Sequence, residues 1–231
     1  MNNQLSNDDL ILSQFESDKL IKLYQNQQFE EAEKLATLIT QQFPEHLIGW
    51  KVLGAIFGQS GRNAEALNAN QTAVQLAPKD AIARSNLGNV LTELGRLEEA
   101  EFSFNQAIII KPDFAEAHSN LGNVLKELGK LREAESSFNQ AIALKPDFFG
   151  AYFNLGATLN QLGKFQESVA SYKNAILIKP DYAEAHQNLG LVLFGNGDKD
   201  AGLNSIKRAH SINSNSKDHK LLLRILQAKV D

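Results

Sequence analysis

The chain has 231 residues, 43% hydrophobic and 22% charged, enough apolar material for one or two globular cores or for a repeat array. A formal net charge of −4 speaks against the clustered Lys and Arg surface that a phosphate backbone requires, so nucleic acid is not an expected partner. The absence of cysteine excludes a disulfide, a thiolate metal site and a thiol nucleophile.

The N-terminal stretch Met1-Asn2-Asn3-Gln4-Leu5 lacks the basic and apolar regions of a secretory signal. The longest apolar run, Ala107 to Ile110, is far shorter than the roughly 20 residues of a membrane helix. A cytoplasmic protein with no membrane insertion is therefore expected. From Asn7 to Gln25, Leu10, Leu12, Phe15, Leu20 and Leu23 have amphipathic helical spacing. After a turn at Asn26 to Gln28, a second helix carries Phe29, Ala32, Leu35, Leu38 and Ile39 and ends at Phe43-Pro44. Beyond this point the chain repeats itself. Pro44, Pro78, Pro112, Pro146 and Pro180 lie 34 residues apart, and residues 81–114 match residues 115–148 at all but eight positions. A fixed period of this length predicts stacked helix pairs rather than one globular core.

Trp50-x-x-Leu53-Gly54-x-x-Phe57, followed by Ala66 and Pro78, resembles the tetratricopeptide repeat. The same frame returns as Leu87-Gly88, Ala100, Phe104 and Pro112, as Leu121-Gly122, Ala134, Phe138 and Pro146, and as Leu155-Gly156, Ser168, Tyr172 and Pro180. The resemblance implies an all-α fold, a right-handed superhelical solenoid of antiparallel helix pairs, in one array over residues 1–231. Its parts are a modified first repeat at 7–46, repeats at 47–80, 81–114, 115–148 and 149–182, a degenerate last repeat at 183–216 and a capping helix at 217–231. Asn70 departs from the aromatic residue expected at its position, and Gly202, Ile206 and Ser214 depart in the last repeat.

Glycines 54, 88, 122, 156 and 190 fall mid-helix, where glycine costs about 1 kcal/mol against alanine, so close approach of the paired helix is expected. Glycines 61, 95, 129, 163 and 197 suit a left-handed residue closing each first helix. Asp113 with Glu116, and Asp181 with Glu184, have capping-box spacing. Phe104, Phe138 and Tyr172 are expected to fill the gaps between repeats. The leucine-rich end, Leu221 to Val230, is expected to seal the array, with a homo-oligomer through this helix as an alternative use.

One row on the first helices points to function: Asn86, Asn120, Asn154 and Asn188, with Asn89 and Asn123 three residues further on. An amide offers donors and an acceptor, so a row of them can hold the main chain of an extended peptide. The row is similar to the asparagine ladder in the tetratricopeptide superhelix of O-GlcNAc transferase, which holds substrate backbones. The same residues are also explained by bonds to neighbouring helices or by exposure to water, copied by repeat duplication, with peptide contact the preferred reading. Groove neighbours Ser85, Ser119, Glu116, Lys126, Phe153, Glu184, Gln187 and Phe194 would then supply selectivity. The carboxylate clamp of chaperone-tail receptors is not matched, because Glu116 and Glu184 stand where lysine is required.

No cofactor, metal or catalytic residue is expected. Gly122 and Gly129-Lys130 are too far apart for a phosphate loop. Asn196-x-Asp198-x-Asp200 has Ala201 where a calcium loop needs glycine. His118 and His186 lie two repeats apart, too far to share a metal, and are expected to serve packing. The expected function is a non-catalytic scaffold binding a protein or peptide ligand. The alternatives are the recognition region of a larger bacterial glycosyltransferase, sulfotransferase, methyltransferase or oxygenase, and self-assembly.

Overall fold

The computed structural model describes residues 7–214 together with Leu222 and Ile225, with the side chains of residues 7–14 left aside. The described residues form twelve helices and no strand. They fall in two compact units, Met1–Pro112 and Asp113–Asp231. In the first unit the pairs are α1 (Asn7–Gln25) with α2 (Phe29–Gln42), α3 (Leu47–Gln59) with α4 (Asn63–Leu76), and α5 (Ala81–Glu93) with α6 (Leu97–Ile110). The second unit holds α7 (Ala115–Glu127) with α8 (Leu131–Leu144), α9 (Phe149–Gln161) with α10 (Phe165–Ile178), and α11 (Ala183–Gly195) with α12 (Lys199–Ile212). In each unit the first helices of successive pairs also touch, α1 on α3 on α5 and α7 on α9 on α11. The expected capping helix at 217–231 lies outside the described residues apart from Leu222 and Ile225.

Each pair turns through the same three-residue connection. Gly95 has φ +69°, its N–H reaches Thr92 O at 2.9 Å, and Arg96 N–H reaches Leu91 O at 2.9 Å. This is a Schellman closure, which satisfies carbonyls a helix end otherwise leaves unpaired. Lys130 to Leu125, Lys164 to Leu159 and Asp198 to Leu193 repeat it. The first pair makes the same bonds, Gln28 N–H to Leu23 O and Gln27 N–H to Tyr24 O, with Gln27 at φ +59° in the glycine slot.

The mid-helix glycines are notches for the aromatic row. A Cβ on Gly88 would stand 2.8 Å from Phe104, one on Gly122 2.7 Å from Phe138, and one on Gly156 2.9 Å from Tyr172. These rings are almost fully buried and enter the notch of their own pair. Tyr172 also reaches the next repeat, clustering with Leu189 and Val192 and bonding Asn188, so the expected filling between repeats holds at Tyr172 and the packing within the pair is added to it. In the second pair the notch of Gly54 faces the Asn70 amide, and in the first pair Leu20 takes the glycine position and is buried. The last pair, expected to be degenerate, puts the buried Ile206 in the ring's place, 2.6 Å from a Cβ on Gly190, and adds backbone contact, with Gly202 O at 2.7 Å. Two glycines at one crossing let the helices meet without a ring between them.

The capping boxes do not form. Helices α7 and α11 start one residue later than that spacing requires, with Phe114 and Tyr182 at their N-caps and no side-chain cap bond. Glu116 instead pairs with Lys145 at 3.1 Å. Asp80 does cap α5, accepting from Ile82 and Ala83 N–H at 2.9 and 3.0 Å. His186 does more than pack: its Nε2 donates to Pro180 O at 2.9 Å, as Trp50 Nε1 and Arg84 Nε donate to Pro44 O and Pro78 O. Position 50 and its counterparts at 84 and 186 thus tie α3, α5 and α11 to the loop before them.

Candidate functional site

The asparagine row lies on the first helices because Asn86, Asn154 and Asn188 recur at one helical phase, and Asn89 and Asn123 follow on nearly the same face. In the first unit, Asn86 is half-buried and Asn89 exposed. In the second, Asn120, Asn123, Asn154 and Asn188 are all half-buried. Several have internal partners. Asn154 Oδ1 accepts from Lys126 Nζ at 3.3 Å, and Asn188 bonds the Tyr172 hydroxyl. Asn123 Oδ1 is buried and has no hydrogen-bond partner. One bond leaves an amide two or three further positions, so an internal partner does not exhaust Asn154 or Asn188.

The groove neighbours divide. Ser85 and Ser119 are each 4% exposed, which withdraws them from the solvent-facing surface. Phe153 packs between Tyr172 and Tyr182, with ring centroids 5.8 and 5.0 Å away. Gln187 and Phe194 stay half-buried, and Glu184 is exposed. Burial pulls the Lys126 ammonium below its ordinary value, while Glu127 acts the other way. Burial pushes the Tyr172 hydroxyl up to about 12, opposed by its bond with Asn188, so it stays a neutral group near neutral pH. Among the described residues no group of three or more His, Cys, Asp or Glu is placed to hold a metal. No described helix is long and apolar enough to cross a membrane.

Two recesses open on these first-helix faces, one in each unit, each of about 350 Å³. The first is lined by residues of α1, α3, α4 and α5, among them Gln59, Asn70, Asn86, Asn89 and Glu93. The second lies between α9, α10 and α11 and holds Asn160, Phe165, Tyr172, Asn188, Leu191 and Gly195. Position by position they are the same place three repeats apart: Asn70 answers to Tyr172, Asn86 to Asn188, Asn89 to Leu191 and Glu93 to Gly195.

A family profile described as TPR repeat matches residues 88–129, 122–163 and 156–197, and a second, Tetratricopeptide repeat, matches residues 20–81. The chain belongs to the tetratricopeptide repeat family. No curated protein sequence matches it. The fold of this tetratricopeptide repeat chain is similar to that of PilW, a type IV pilus biogenesis factor, at 18% identity and TM-score 0.82 over 92% of this chain and 98% of PilW. It is similar to YrrB, a TPR protein with an unusual peptide-binding site, at 21% identity and TM-score 0.66 over 84% of this chain and 97% of YrrB. MamA is similar at 24% identity and TM-score 0.66, covering 71% of this chain and 95% of MamA.

Sequence reasoning noticed Asn70 as a departure from the tetratricopeptide pattern but not as part of a site, and it missed Gln59, Glu93, Asn160 and Leu191. The available signal was spacing. Asn86, Asn89 and Glu93 stand at i, i+3 and i+7, which one helix face must share.

Proposed function

We propose that the chain is a non-catalytic protein-interaction scaffold that takes an extended segment of a partner along its first helices. The reading rests on one observation: half-buried asparagines recur on those helices at one phase, and two of them, Asn86 and Asn188, line open recesses. An extended peptide presents an N–H and a C=O at every residue, and amides can answer both. At about 1 kcal/mol net per hydrogen bond, a few amides give general affinity, and the recesses between them supply choice among side chains. The peptide-binding site named for YrrB is in keeping with this use of the fold.

The test screens the full chain against a random library of twelve-residue peptides and compares it with the Asn120→Ala, Asn154→Ala double variant. Peptides enriched on the wild type should bind the variant about tenfold more weakly or worse, at nearly unchanged melting temperature, since each lost hydrogen bond is worth about 1 kcal/mol. Equal affinity in a folded variant contradicts the reading, as does a library that yields no binder.

A further inference from the structure

We propose that the recess of the first unit is a binding pocket for an arginine side chain of the partner segment, an inference that rests on the function proposed above and gives it a specificity. The floor of the recess is Asn70, a residue only 1% exposed. Its Nδ2 donates to Ala66 O at 2.9 Å, which fixes the amide orientation, and its Oδ1 is buried with no hydrogen-bond partner. A buried acceptor without a donor is costly, so a ligand that brings a donor there gains more than one that does not. On the wall, Gln59 Nε2 is already donating to the Tyr24 hydroxyl at 2.9 Å, leaving Gln59 Oε1 to accept. At the rim stands Glu93, exposed and without an ion pair among the described residues. Floor, wall and rim thus present acceptors, and the rim adds a negative charge. The guanidinium group carries five N–H donors in a plane, no acceptor and a permanent charge, which matches acceptors spread over several sides better than the point charge of an ammonium.

The second unit supplies an internal control. Its equivalent recess has Tyr172 at the floor, Leu191 on the wall and Gly195 at the rim, with no carboxylate in its lining. It has a similar volume and amides of its own, Asn160, Gln161, Asn188 and Asn196, but neither a carboxylate nor a buried acceptor without a partner.

The experiment follows side-chain and backbone NMR signals of the full chain during titration with N-acetyl-arginine methylamide, and with the lysine and norleucine analogues as comparisons. The arginine analogue should shift the signals of Asn70, Asn86 and Asn89 saturably while leaving those of Asn188 and Tyr172 in place. Glu93→Gln, an exposed change that spares the fold, should weaken this binding about fivefold, the usual worth of one charge pair at a surface. Asn70→Phe, which restores the ring found at positions 104 and 138, should abolish it. Equal response to norleucine or lysine, equal shifts in both recesses, or wild-type affinity in Glu93→Gln overturns the proposal. These probes have no extended main chain. Their failure leaves a positive peptide screen standing, and an empty screen beside a positive titration condemns the amide row alone.

Discussion

Gln27 shows how one residue records the cost of a departure from the repeat. It holds φ +59° at the position where five later pairs have glycine with φ between +69° and +96°. A side chain in that region costs about 1–2 kcal/mol, partly offset by the larger freedom glycine loses on folding. Gln27→Gly should therefore raise the stability of the first unit by about 0.5–1 kcal/mol in chemical denaturation. Asp80 makes a second case. It accepts from Lys51 Nζ at 2.6 Å and from two backbone N–H groups; burial pushes its carboxyl up, but these bonds outweigh burial and hold it below its ordinary value of 3.8. A carboxyl depressed in the folded state stabilises above its unfolded pKa and loses that contribution as pH falls through its folded value. Asp80→Ala should cost about 1 kcal/mol at pH 7, with the difference from wild type narrowing below about pH 4. A difference that grows on acidification would contradict this account.

At the scale of the helix pair, stability depends on a notch and what enters it. Gly122 admits the Phe138 ring so closely that a Cβ would stand 2.7 Å away. Gly122→Leu should cost about 3 kcal/mol or more, because both groups are buried and the ring has nowhere to turn. The second pair carries the converse defect. Asn70 faces the Gly54 notch with an unpaired acceptor, so Asn70→Phe should stabilise the first unit by about 1–2 kcal/mol, read by denaturation. Much of this was legible in the sequence, because a glycine that breaks helical economy every 34 residues demands a packing reason. The capping boxes misled because their spacing also occurs one residue before the true helix start, where Phe114 and Tyr182 take the cap position without a side-chain bond. The aromatic row was placed between repeats; the notches that receive it lie within them, while Tyr172 also reaches across to the next repeat.

For the molecule as a whole, the period of 34 was enough to give the repeat architecture of the family, because each copied residue returns to the same environment. It was not enough to give the site. Repetition shows which positions recur but not which side chains are already bonded, and the Lys126 contact with Asn154 and the Tyr172 contact with Asn188 are visible only in three dimensions. Nor did it show that equivalent recesses diverge, with Asn70 and Glu93 in one and Tyr172 and Gly195 in the other. A scaffold of the kind proposed would combine a general grip on main chain with local choices at each recess.

The most direct test of that grip separates main chain from side chain. A peptide enriched from the random library is compared by calorimetry with a version N-methylated at alternate backbone amides, which removes donors while keeping every side chain. The account predicts that methylation weakens binding about tenfold or more, at about 1 kcal/mol per lost hydrogen bond. Undiminished affinity of the methylated peptide would show that side chains alone are held, and would contradict it.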